Sequence, residues 1–179
     1  MKQVYIDTSV LLAKWIPTDP YHEESKKIVE AVTTQRIIGI FSGLGLAEAS
    51  SVIERQQGKF SLELAPDISL SAEYLKRIVM IPHLEILDIV YPIPTVIAGL
   101  NFELSIIYWQ SLDLASKFHL KTLDNLHLAL SVLLDKLKGR TIDYFVTADH
   151  EIVANAHRIK TEYGFSPMFP DQLVILEGL

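Results

Sequence analysis

The chain contains no cysteine. That absence removes disulfides, thiolate metal sites and cysteine nucleophiles together, and it is compatible with a reducing cytoplasm, the compartment expected here. Bases are outnumbered: 16 Lys and Arg stand against 22 Asp and Glu, for a net charge of −6. A broad basic surface of the kind that grips a nucleic-acid backbone is therefore not expected, although a cleft can still concentrate several of the acids. No apolar run is long enough to span a bilayer, so no membrane association is expected. The longest, IVYPIPTVIAGLNF from Ile89 to Phe102, carries two prolines and reads as a loop between a strand and a helix. The opening MKQVYIDTSVLLAKW does not read as a signal peptide, because Asp7 interrupts its apolar stretch and no small-residue cleavage site follows. There is no G-x-S-x-G nucleophile elbow, and DTS lacks the second acid of a D-x-D phosphatase loop. The six histidines (His22, His83, His119, His127, His150, His157) show neither H-E-x-x-H nor H-x-H spacing, and each is expected on the surface or packed against a helix.

What remains is apolar and regular. At 179 residues and 49% hydrophobic, the chain suffices for one domain, residues 1–179, with a sizeable core. Short β-branched and aromatic runs read as strands at QVYI (3–6), RIIGIF (36–41), LEILDIV (84–90) and DYFVT (143–147), with QLVIL (172–176) a candidate last strand. Between them lie helical patterns. One begins with Asp19 as N-cap and Pro20 at its first position, and one runs from Leu44 to a stop at Gly58. Others cover residues 71–80, about 102–118, and 122–138 with a leucine stripe from Leu123 to Leu137 and Gly139 as stop. A last one spans HEIVANAHRIKTEYG, ending at Gly164. Continuous apolar strands alternating with helices predict a three-layer α/β/α sandwich around a mostly parallel central sheet of four to five strands.

In such sheets ligands sit beyond the carboxyl ends of the strands. Asp7 directly follows the first strand, and Asp149 stands just past the fourth. Asp124 lies in the first turn of the leucine-rich helix, and Glu48 in the second turn of the helix after strand two. Taken singly, each has a plain structural reading as cap, dipole partner or solvated residue. Gathered at one end of a sheet, they would repel and raise one another's pKa values unless a cation neutralised them. An oxygen-only cluster of this kind suits a hard divalent ion, Mg²⁺ or Mn²⁺, and the hydrolysis of a phosphodiester.

Four segments carry a resemblance. VYIDTSVLLA, AEASSVIER, FHLKTLDNLHLALS and FVTADHEIVANA resemble, in order, the motifs of the PIN-domain nucleases, and most of all the VapC-like toxin ribonucleases of bacteria and archaea. FSPMFPDQLV is similar to the family's closing strand and proline. The resemblance implies a catalytic and metal-binding cluster of Asp7, Glu48, Asp124 and Asp149, with Ser9 and Thr147 supporting it. It also implies Mg²⁺- or Mn²⁺-dependent cleavage of RNA, frequent homodimers and, for the toxins, a cognate protein antitoxin. The chain departs from the compact toxins in extra length, at about 58–82 and 91–110, and in Asn125, where the family has a small residue.

Two other function classes compete. One is a non-catalytic binding or scaffold module of the same fold. The other is a nucleotide-cofactor enzyme, suggested by the spacing of Gly43 and Gly45 in SGLGLAEASS. Against the latter, Glu48 occupies the place where a G-x-G-x-x-G loop needs a small residue and would face a pyrophosphate with like charge.

Overall fold

The computed structural model describes residues 1–60, 69–89, 91–97 and 99–179. Its central sheet has five strands, all parallel: β1 Lys2–Ile6, β2 Ile37–Ser42, β3 Leu84–Leu87, β6 Tyr144–Val146 and β7 Ser166–Met168, in the order β3-β2-β1-β6-β7. The alternation of side chains along a strand sorts the core into two halves. Val4, Ile6, Phe41 and Val146 face one side, where they meet α1 Thr8–Ala13, α2 His22–Thr33, α3 Gly43–Arg55, α4 Leu70–Val79 and α9 Pro170–Glu177. Tyr5, Ile40 and Phe145 face the other, against α5 Ile106–Phe118, α6 Thr122–Lys138, α7 His150–Ala154 and α8 Ala156–Tyr163. The result is the expected three-layer sandwich. Among the described residues no helix is long and apolar enough to cross a membrane.

Several local expectations are corrected. The proline-bearing run read as a loop is an antiparallel hairpin, β4 Pro92–Ile97 and β5 Leu100–Ser105. The Ile106 N–H donates to Tyr91 O at 2.7 Å, which makes Tyr91 and Ile106 a hydrogen-bonded pair. By alternation, Pro92 opposite Ser105 and Pro94 opposite Glu103 fall at positions whose amides would point away from the partner strand. The missing N–H groups therefore cost the ladder nothing. Because β5 occupies residues up to 105, the helix expected from about 102 begins only at Ile106.

The run QLVIL is not a strand. Pro170 starts α9 through those residues, with the Gln172 side chain accepting the Phe169 N–H at 2.9 Å, and the last strand is Ser166–Met168 instead. A short apolar run carries no period that separates helix from strand. The helix expected over residues 150–164 breaks at Asn155 into α7 and α8. Asp19 forms a turn, accepting the Tyr21 N–H at 2.9 Å, and α2 starts three residues after it, at His22. Gly58 lies in a 3-10 turn beyond the end of α3. In α6, Leu126, Leu130, Leu133 and Leu134 are buried, whereas Leu123 and Leu137 at the ends of the stripe are exposed. The strand at 84–90 ends at Leu87; Val90, and residues 61–68 and 98 of the two longer segments, lie outside the described residues.

One close approach sets the position of α3. A Cβ on Gly45 would lie 2.6 Å from the ring of Phe41, which is itself fully buried in the sheet. Gly45 thus lets α3 start hard against the end of β2. Gly45→Ala is expected to destabilise the protein by about 1–3 kcal/mol through overpacking, lowering Tm by roughly 2–4 °C per kcal/mol. Gly58→Ala, whose Cβ meets nothing within 4 Å, should stay within about 0.5 kcal/mol of wild type in the same thermal melts.

Candidate active site

The sheet order places β1 between β2 and β6, so the carboxyl ends of β1 and β6 open side by side. Asp7 ends β1, and its N–H donates to Val146 O at 2.9 Å. Its Oδ1 accepts the Thr8 N–H at 2.8 Å as the N-cap of α1. Its Oδ2 accepts the hydroxyls of Ser9 and Thr147, both at 2.8 Å. Ser9 Oγ in turn accepts the Ala148 N–H at 3.3 Å, and Thr147 Oγ1 accepts the Asp149 N–H at 3.0 Å. These bonds lock the end of β1 to the loop after β6. Asp149 caps α7, its Oδ1 accepting the N–H groups of Glu151 and Ile152. The capping reading of both aspartates is thus correct, and it coexists with their placement at the cleft.

Glu48 arrives from α3, whose start is fixed by Ser42 accepting the Gly45 N–H at 2.9 Å. Asp124 arrives from the first turn of α6. Asn125 beside it is buried and donates to Leu120 O at 2.7 Å, tying the start of α6 to the preceding loop. Asp7, Ser9, Glu48, Asp124, Ala148 and Asp149 line one cleft of about 260 Å³. All four predicted acids therefore meet, together with Ser9, while Thr147 stands behind them on Asp7.

Two metal-sized groupings lie among the described residues: Asp7 with Glu48 and His127, and Asp124 with Asp149 and Glu151, each offering ligand atoms within 4.8 Å of one another. The side chains of Asp7 and Glu48 are 13% and 24% exposed, enclosed yet open to a small ion. The donor chemistry fits Mg²⁺ or Mn²⁺, being carboxylate oxygen throughout except for one imidazole.

The electrostatics are uneven. Burial, reinforced by the nearby charges of Asp149 and Asp7, pushes the Asp124 carboxyl up to about 6. Burial also pushes Glu48 upward, but its hydrogen bonds from His127 and Thr8, with the charges of the His127 ring and Arg55, outweigh this and leave it below the usual range. His127 is raised overall: burial lowers it, and the bond to Glu48 with the charges of Asp7, Glu48 and Asp124 more than offsets that.

His127 departs from expectation. Its side chain is 2% exposed and its Nε2 lies 3.0 Å from Glu48 Oε2 and 4.0 Å from Asp7 Oδ1. A search for paired histidines passes over it; the usable signal was its place one helical turn after Asp124, in L-D-x-L-H. Glu151, an exposed acid two residues beyond Asp149, was also missed. The start of α3, where a nucleotide phosphate would have docked, already has its Gly45 amide taken by Ser42.

A family model described as the PIN domain matches residues 3–96, just over half of the chain. No curated protein matches the chain by sequence. Among solved structures, the chain is similar to PAE2754 from Pyrobaculum aerophilum, at 12% identity and a TM-score of 0.53, covering 99% of this chain and 96% of that one. It is also similar to VapBC2 from Rickettsia felis, solved bound to a DNA fragment from its promoter, at 12% identity and a TM-score of 0.53, over 93% of this chain and 98% of that one. VapC20 of Mycobacterium tuberculosis, a toxin that cleaves the sarcin-ricin loop, matches at 16% identity and a TM-score of 0.49, over 82% and 90% of the two chains.

The elevated Asp124 carboxyl has a measurable consequence. Its folded value of about 6 lies above the unfolded value near 3.8. Between those limits the folded protein holds a proton that the unfolded chain releases, so this group lowers stability as pH rises through the window and contributes nothing below it. Asp124→Asn should therefore raise Tm at pH 7 in chelator, by about 2–4 °C for on the order of 1 kcal/mol of relieved burial cost and repulsion at a half-buried charge. The gain should vanish by about pH 4. Equal melting of the two proteins at pH 7 would show that the charged Asp124 carries no such burial and repulsion cost.

Proposed function

The chain belongs to the PIN-domain family, and from that premise we propose that it is a divalent-metal-dependent endoribonuclease. The observation that carries the reading is the convergence of Asp7, Glu48, Asp124 and Asp149 on one cleft at the carboxyl ends of β1 and β6. Asp7 and Glu48, with Asp124 across the cleft, would hold Mg²⁺ or Mn²⁺. Bound there, such an ion polarises a phosphoryl oxygen and lowers the pKa of water.

The remaining steps belong to the chain's own residues. Ser9 and Thr147 hold Asp7 Oδ2 in a fixed orientation, and the Thr8 amide holds Oδ1. Asp149 and Asp124 face the cleft as hydrogen-bond acceptors that orient the attacking water toward phosphorus. Lys121, 71% exposed and 3.6 Å from Glu151, offers a cation at the start of α6 for the RNA phosphates. The VapC-like motifs support a toxin role with a cognate antitoxin, and the same reading carries a homodimer and a cytoplasmic site of action.

Pure protein is expected to cut RNA with Mg²⁺ or Mn²⁺ and to stop when chelator is added. Asp7→Asn should lower the rate by about 100-fold or more while leaving the fold intact, because asparagine caps a helix as well as aspartate does. An inhibitor-free protein that cleaves neither RNA nor DNA with either ion would refute the nuclease reading. If it binds RNA without cutting, the scaffold reading takes its place. Mass measurement in solution, alone and with the product of a neighbouring small gene, checks the homodimer and the antitoxin.

A further inference from the structure

We propose that His127 is a positioning residue for Glu48, clamping its carboxylate in the orientation that a divalent ion in the cleft requires; this rests on the metal-dependent reading above. Both ring nitrogens are engaged. Nε2 lies 3.0 Å from Glu48 Oε2, and Nδ1 lies 2.8 Å from the hydroxyl of Tyr5. Tyr5 is itself immobile: it is 1% exposed on the central strand, and its ring stacks on Phe145 with centroids 5.0 Å apart.

The Glu48 carboxylate can only accept, so Nε2 carries a proton and donates to it, whichever way the Tyr5 hydroxyl, which also bonds Ser42, turns toward Nδ1. A doubly protonated ring would still donate to Glu48 through Nε2, so the clamp holds in either state. In neither state does the ring present a free lone pair to the cleft. His127 therefore acts through Glu48 and not as a ligand.

The clamp also ties two elements together. Asp124 and His127 sit one turn apart on α6, so the helix that brings one carboxylate to the cleft grips the other, which comes from α3. The spacing of the two acids is set by a hydrogen bond to a core residue instead of by the ion itself.

Calorimetric titration of Mn²⁺ without RNA, on the full chain and three variants, tests this, with thermal melts to verify folding. His127→Leu fills the space without a donor and should weaken Mn²⁺ binding about 10- to 100-fold, the usual effect of losing a partner behind a metal ligand. His127→Gln places an amide N–H where Nε2 stands and should stay within a few-fold of wild type. His127→Asn reaches only the Nδ1 position, keeps the contact with Tyr5, and should bind as weakly as the leucine variant. If the leucine variant does not fold, the glutamine and asparagine pair decides. Equal Mn²⁺ affinity in those two, or wild-type affinity in a folded leucine variant, overturns the proposal while the nuclease reading stands. A wild-type protein that takes up no Mn²⁺ overturns both.

Discussion

Like charges crowded into a poorly hydrated cleft repel, and the folded chain must hold them there against that repulsion. Asp124 registers the strain directly, its proton held up to about 6 by burial and by Asp149 and Asp7. The surrounding structure answers with directed donors. Asp7 accepts from one amide and two hydroxyls, Asp149 from two amides, and Glu48 from an imidazole and the Thr8 hydroxyl. Asp124 is the acid whose carboxyl is pushed furthest from its ordinary range, and it sits on the longest helix of the described residues, whose core side packs densely enough to keep it in place.

The donors come from structure that would be needed anyway. Asp7 and Asp149 begin α1 and α7, so the amides that stabilise their charge are the unsatisfied ends of helices. β1, central in the sheet and with Val4, Tyr5 and Ile6 buried on its two faces, delivers Asp7. Adjacent β6 delivers Thr147 and Asp149, and the hydroxyl of Thr147 bridges the two loops. A cleft of acids is thus built from helix starts and strand ends, with little devoted to it alone.

Much of this was legible in the chain. A short β-branched strand followed at once by Asp has few places to put that residue other than the end of a sheet, and the same holds for FVTAD. Three of the four acids follow a strand or open a helix, while Glu48, in the second turn of α3, was marked by the AEASSVIER segment. What escaped reading depends on partners far away in sequence. His127 takes its meaning from Glu48, 79 positions earlier, and Tyr5, 122 positions earlier, which no local pattern encodes. The last strand was misplaced because QLVIL is too short for its period to speak, and Pro170 settles it as a helix. The hairpin was misread because proline was taken as a bar to pairing, when it bars only one side of a strand.

That one-sidedness has a further effect. With Pro92 and Pro94 on its outer edge, β4 has no amide to offer at either place, and Tyr91 just before it is joined to Ile106. A two-stranded ribbon standing apart from the main sheet would ordinarily be a template on which stray chains add and fibres grow. Here that side of the ribbon lacks two of the amides a newcomer would pair with, so an exposed hairpin docked on α5 is a poorer template for its neighbours.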